Sequence, residues 1–255
     1  MVGAALFVGG LLAAAALLSG RGEAVGARLL LMSRPARDDE LRLLAPAVTI
    51  LCRAGLGPPL VELRVREGEA AVVAAGMGRR TVVVSAGLLE AVVDGALPQA
   101  QAAAVIGHAA ALTRGGWVRS DPVIKFWSLP WQLLRAVALA AARVGRRLPL
   151  TSLAWRGRVV VVVIATVQNV QEGQPWLALG IGAVGALSYA IPIWEGRWEQ
   201  TMLNAGDAAL ADAGLAAPWA AFLRRCPPTP TLRTRLRGLE EATPAGRPVG
   251  LVVGR

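Results

Sequence analysis

Histidine is nearly missing from this chain: among 255 residues there is one, His108. A mechanism that needs two imidazoles is therefore excluded unless another chain supplies the second. Cysteine is almost as scarce. Cys52 and Cys226 could form one bridge at most. They lack C-x-x-C spacing and have no histidine nearby, so they read as core or loop thiols of a reducing compartment. Acidic residues are the minority charge, 17 against 27 basic ones, for a formal net charge of +10, and nearly every base is arginine. Such an excess points to nucleic acid or to an anionic membrane face. No run of five or six like charges and no interleaving of aromatic with basic residues is present, which argues against nucleic acid as a partner.

Apolar residues are plentiful. They make up 55% of the chain, with a mean hydropathy of +0.50 that is high for a soluble domain. Residues 2–19 (VGAALFVGGLLAAAALLS) form an uncharged run about as long as the shortest spanning helix. No basic residues precede it, so a retained anchor is expected rather than a cleaved signal. Arg21, Arg28, Arg34 and Arg37 follow and would stay cytoplasmic, with the N-terminus outside.

Residues 175–194 (PWLALGIGAVGALSYAIPIW) are uncharged, with Trp176 near one end and Tyr189 and Trp194 towards the other, the pattern of an aromatic belt. The β-branched run Val159–Val167 precedes them, across the polar turn Gln171-Glu172-Gly173-Gln174. Together they predict a transmembrane hairpin over 157–194, with Arg156, Arg158 and Arg197 on one side and the arginine-free turn on the other. Residues 126–145 contain Pro130 and Arg135, and Arg143 lies near their end; an interfacial amphipathic helix is expected there.

Between these segments the pattern is that of a small mixed domain. Residues 38–54 open with acidic residues, end at Gly55 and predict a helix, kinked at Pro46. Val61, Leu63 and Val65 alternate with charged residues as in a half-buried strand. Two further strands are expected at 70–75 and 80–85, with a turn around Gly76 and Gly78. A short helix opens at Gly87, and another runs from Pro98 to about Thr113. A last one spans 198–223, broken near Gly214 or Pro218. A tail with Pro227, Pro228 and Pro230 then leads to Arg233, Arg235 and Arg237.

Three stretches in this order resemble the HtpX-like integral membrane zinc metallopeptidases, relatives of the CAAX prenyl proteases. Arg80–Leu89 (RTVVVSAGLL) is similar to that family's strand leading into a G-L-L helix. Ala104–Gly115 (AVIGHAAALTRG) is similar to its A-V-x-x-H-E-x-x-H-x-x-x-G helix, and Leu203–Asp207 (LNAGD) stands at its E-x-x-A-D motif. Pro228 and Arg233 resemble its late H-P-x-x-x-x-R segment, with Pro227 where the histidine would be. The likeness covers roughly residues 60–240. It implies an α+β fold: a mostly helical membrane protein with a small three-stranded sheet packed on a zincin-like helix pair. The strand at 60–66 would then be an edge able to pair with an extended peptide.

The departures decide the expected activity. Two histidines at i and i+4 share one helix face and can hold one zinc, and the glutamate between them is the general base. In the resemblance, His108 keeps the first ligand position, Ala109 replaces the base, Leu112 the second ligand and Leu203 the third. Asp207 keeps the position of the carboxylate that orients a ligating histidine. A catalytic zinc normally has three protein ligands plus water.

The expected organisation is an N-terminal transmembrane anchor (1–20), a metallopeptidase-like domain in two halves (21–122 and 195–255, the second with the basic tail), an interfacial segment (123–156) and the hairpin (157–194). The localisation expected is the plasma membrane, multi-pass, with the globular part cytoplasmic. The leading functional reading is an inactive pseudopeptidase with no cofactor, which binds or scaffolds membrane-protein or peptide segments. An active zinc endopeptidase built on His108, Glu199 and Asp207 is one alternative. A membrane-surface protein whose arginines hold anionic lipid is the other.

Overall fold

A computed structural model describes residues 2–20, 22–58, 61–126, 128 and 150–242. The expected interfacial helix at 126–145 lies almost wholly outside the described residues. The chain divides into two compact units, Met1–Phe126 with Met202–Arg255, and Trp127–Thr201.

The first unit begins with α1 (Val2–Ser19) and α2 (Glu23–Leu31), followed by the short strand β1 (Ser33–Pro35). Helix α3 (Asp38–Arg53) starts where the sequence places acidic residues against the positive end of a helix dipole. Glu40 reaches back to accept the Arg37 N–H at 2.7 Å. The helix continues through Pro46. Strands β2 (Glu62–Arg66), β3 (Ala74–Met77) and β4 (Thr81–Ser85) follow, then α4 (Ala86–Val93) and α5 (Gln99–Arg114).

The sheet has four strands in the order β1-β2-β4-β3, with β2 and β4 parallel and the outer pairs antiparallel. This corrects the expected three-stranded sheet, and it corrects the edge as well. β2 lies inside, covered by β1 through the register Ser33↔Arg66, Arg34↔Val65 and Pro35↔Arg64. The predicted strand at 70–75 begins only at Ala74, because the backbone before it is bound elsewhere. Ser85 N donates to Val73 O at 2.9 Å and Gly87 N to Glu69 O at 2.9 Å.

Helix α5 carries the core. Ala102 to Ala111 are all buried, as expected of a helix that is apolar on every side. Its small residues let neighbours approach: a Cβ on Gly107 would sit 3.0 Å from Leu51 and 3.1 Å from Leu210. Leu44, Leu51, Val65, Val82, Val84 and Leu210 are among the residues packed into the same core.

The second unit is a helical hairpin. Helix α6 (Leu150–Gln171) meets α7 (Pro175–Asp212) at the expected turn, where Gly173 has φ +73°. The hairpin closes on small residues, since a Cβ on Gly185 would lie 2.4 Å from Val162 Cγ1. From Met202 onward α7 belongs to the first unit. There Gly214, at φ +73°, ends the long helix before α8 (Ala216–Leu223), and α9 (Pro230–Ala242) follows.

Among the described residues no helix is long and apolar enough to cross a membrane. This overturns the expected multi-pass plasma-membrane protein, its anchor and its spanning hairpin. The 18 residues of α1 reach about 27 Å, short of a hydrocarbon core of about 30 Å. Its last turns are also committed to the protein. Ala14 is buried, and Arg79 Nη2 donates to Leu18 O at 3.1 Å. In α6 the uncharged run Val159–Val167, which includes Thr166, lies between arginines and the polar Gln168, Asn169 and Gln171. Helix α7 has no boundary at Trp194; it continues through Glu195, Arg197 and Glu199.

Candidate functional site

His108 projects from the middle of α5, and three later elements close around it. The last turns of α7 bring Gly206 and Asp207, α8 brings Trp219 and α9 brings Arg235. Gly206 is required by contact: a Cβ there would stand 2.3 Å from His108 Nε2 and 2.7 Å from Cε1. The imidazole is thus flat against the α7 backbone. Its other neighbour is Trp219, stacked with centroids 4.9 Å apart and planes inclined by 25°. Trp219 in turn stacks on Phe222 at 5.5 Å.

Asp207 is the centre of charge. Its Oδ1 accepts from Trp219 Nε1 at 2.7 Å and from Arg235 Nη2 at 2.7 Å, and its Oδ2 accepts from Arg235 Nε at 2.7 Å. The Arg235–Asp207 pair is therefore bidentate, the geometry that best matches a guanidinium to a carboxylate. Both side chains are almost completely removed from solvent, 10% and 11% exposed. The guanidinium also lies 5.4 Å from the Trp219 ring centre, a cation–π distance. Burial alone would push the Asp207 carboxyl upward. The Arg235 hydrogen bonds, helped by contacts from His108 and Trp219, outweigh it and hold the group at about 2.

His108 stands slightly apart from this network. Its Nε2 is 3.4 Å from Asp207 Oδ1, but that buried nitrogen has no aligned hydrogen-bond partner. The carboxylate's lone pairs are directed to Arg235 and Trp219 instead. The structure brings His108 and Asp207 within 3.4 Å of each other and adds two residues that sequence reasoning missed. Trp219 and Arg235 are 12 and 28 positions from Asp207, too far for any helical periodicity to link them. Trp219 is an aromatic within an apolar helix, and Arg235 is one of three alternating arginines in the tail, so neither stood out. Arg233, the arginine singled out by the resemblance, is exposed.

The side chains at three other expected positions, Ala109, Leu112 and Leu203, can neither ligate a metal nor take a proton. Ala109 is buried and its carbonyl accepts from Thr113 Oγ1 at 2.9 Å. Leu112 and Leu203 are half-buried. Glu199 is exposed and belongs to the second unit. Cys52 and Cys226 are both free thiols, the first exposed and the second half-buried.

A zinc ion does not fit this donor set. Among the described residues no three His, Cys, Asp or Glu side chains are grouped to hold a metal. Among the described residues the carboxylate paired with His108 is Asp207, at 3.4 Å, and it already receives three hydrogen bonds. A cation, Arg235, occupies the side of Asp207 from which a second ion would be repelled.

No protein-family model, curated protein or solved structure matches this chain. The likeness to HtpX-like metallopeptidases thus rests on the residues quoted above alone.

Proposed function

We propose that this protein is a catalytically inactive relative of the HtpX-like metallopeptidases, a pseudopeptidase that keeps the fold to bind or scaffold peptide segments of partner proteins. One observation carries the reading: the carboxylate beside the lone histidine is held by a bidentate arginine at 2.7 Å. Metal-assisted peptide hydrolysis needs a Lewis acid to lower the pKa of water and a base to take its proton. A guanidinium has no empty orbital to offer a water oxygen and is never deprotonated in proteins. The methyl group of Ala109 cannot take a proton, and the side chains of Leu112 and Leu203 cannot ligate. The cluster instead ties α7, α8 and α9 together through the buried hydrogen bonds to Asp207, and α5 joins it through the His108 ring stacked on Trp219.

The test is zinc per chain and proteolysis, measured together on protein purified without a polyhistidine tag. The expected result is the same background zinc in the wild type and in His108→Ala, with no chelator-sensitive cleavage of casein. One zinc per wild-type chain that is lost in the variant, with cleavage abolished by a chelator, would overturn the reading in favour of an active enzyme.

A further inference from the structure

Glu23 is a buried carboxylate that the cluster around His108 does not involve. It is 7% exposed and sits at the start of α2. Its Oε1 accepts three consecutive backbone N–H groups from the β3–β4 turn: Arg79 at 2.8 Å, Arg80 at 2.9 Å and Thr81 at 2.9 Å. Successive N–H groups converging on one point form a concave anion site, or nest. The turn is shaped for it. Gly78 adopts φ +69°, and a Cβ there would stand 2.5 Å from the Glu23 carboxyl group. Glycine is thus demanded twice, by its backbone angle and by the approach of the carboxylate. Arg79 and Arg80 are themselves exposed, and the Arg79 guanidinium donates to Leu18 O at 3.1 Å, at the end of α1.

The sheet uses the Arg80 carbonyl, which accepts from Glu62 N at 2.7 Å, while the three N–H groups are directed at Glu23. We propose that the β3–β4 turn is a carboxylate-binding site whose resident ligand is Glu23. The N-terminal helices are attached to the sheet there as a tethered ligand, and a free monocarboxylate takes the place when the side chain is removed. Attachment matters for the edge of the sheet as well. α2 leads directly into β1, so holding Glu23 keeps β1 over β2.

The experiment compares full-length wild type, Glu23→Ala and Glu23→Gln in acetate, phosphate or chloride at equal ionic strength. It follows thermal unfolding and hydrogen exchange at the amides of residues 79–81. In chloride, Glu23→Ala should unfold at lower temperature and exchange those three amides at least about tenfold faster, the equivalent of one lost charge-assisted bond. Acetate should restore both, while the core variant Leu44→Ala should show no acetate-specific gain. Glu23→Gln, which keeps the shape without the charge, should exchange faster than wild type. If acetate and chloride act alike on Glu23→Ala, the site does not exist. If phosphate rescues as well as acetate, its carboxylate selectivity is refuted. Should Glu23→Ala fail to fold in every salt, Glu23→Gln decides: wild-type protection at 79–81 overturns the proposal, and faster exchange supports it.

Discussion

At the scale of single residues, the cluster around Asp207 depends on what is absent at position 206. Alanine normally stabilises a helix interior relative to glycine by about 1 kcal/mol. At Gly206 the added methyl would enter the His108 ring, which Trp219 holds from another side. Overpacking a confined site costs about 1–3 kcal/mol, so Gly206→Ala should be destabilising on balance. Gly238 in α9 provides the contrast, since a Cβ there meets nothing within 4 Å. Gly238→Ala should therefore leave stability unchanged or raise it slightly. Urea unfolding of the two variants checks this. If both are stabilising, His108 does not lie against α7. Trp219→Phe retains a ring to stack on His108 but removes the N–H donated to Asp207. A loss of about 1.5–3 kcal/mol is expected for a hydrogen bond to a buried charged acceptor, with little change in far-UV dichroism.

At the scale of elements, the seam between β3 and α5 fixes how the sheet meets the His108 helix. A Cβ on Gly76 would lie 2.3 Å from Thr113 Oγ1 and 2.8 Å from Ala109 O. Gly76→Ala should thus push the strand from the helix at a cost of about 1–3 kcal/mol. Thr113→Ala removes one of the two obstacles. The double variant should be more stable than the sum of the singles by at least about 0.5 kcal/mol, the coupling expected of residues in contact. Strict additivity in a double-mutant cycle would place β3 elsewhere.

The same seam shows what the sequence made legible. α3, α5 and the break at Gly214 were readable because acidic first turns, a helix-starting proline and a glycine act locally. β2 and β4 were readable from their apolar and β-branched residues. β1 was not: three residues ending in proline carry no alternation, and the strand exists because Arg64 binds Ser33 and because Arg34 binds Glu40 and Glu67. The start of β3 was misplaced because Ser85 and Gly87 hold the backbone of 69–73 in a loop. At the site, His108 and Asp207 stood out in the sequence only as members of short motifs in a particular order. Arg235 was hidden because its partner is fixed only by tertiary packing. The membrane spans were misread for a related reason. Hydropathy averages a segment, whereas α1 is anchored to the domain at one end and α7 runs on into charged residues.

For the whole molecule, the buried ion pair predicts how stability responds to acid. A carboxylate held at about 2 in the folded state, against about 3.9 when unfolded, binds fewer protons in the fold than in the open chain. Its contribution is complete above the unfolded value and falls as pH drops from there towards 2. Converted by linkage, it amounts to about 2 kcal/mol at neutral pH. Glu40 acts in the same direction, because the hydrogen bond from Arg34 lowers its pKa. Stability should therefore be flat near neutrality and decline below about pH 4. Asp207→Asn removes the larger titration. It leaves Arg235 almost buried beside a neutral amide, where breaking such a pair costs about 3 kcal/mol or more. The variant should accordingly be weaker than wild type at pH 7, and the gap should narrow towards pH 2, where the wild-type carboxylate is itself about half protonated. Denaturant unfolding of both proteins across this range provides the check. A gap that stays constant down to pH 2 would mean that the charge of Asp207 does not stabilise the fold and that Arg235 is held by packing alone.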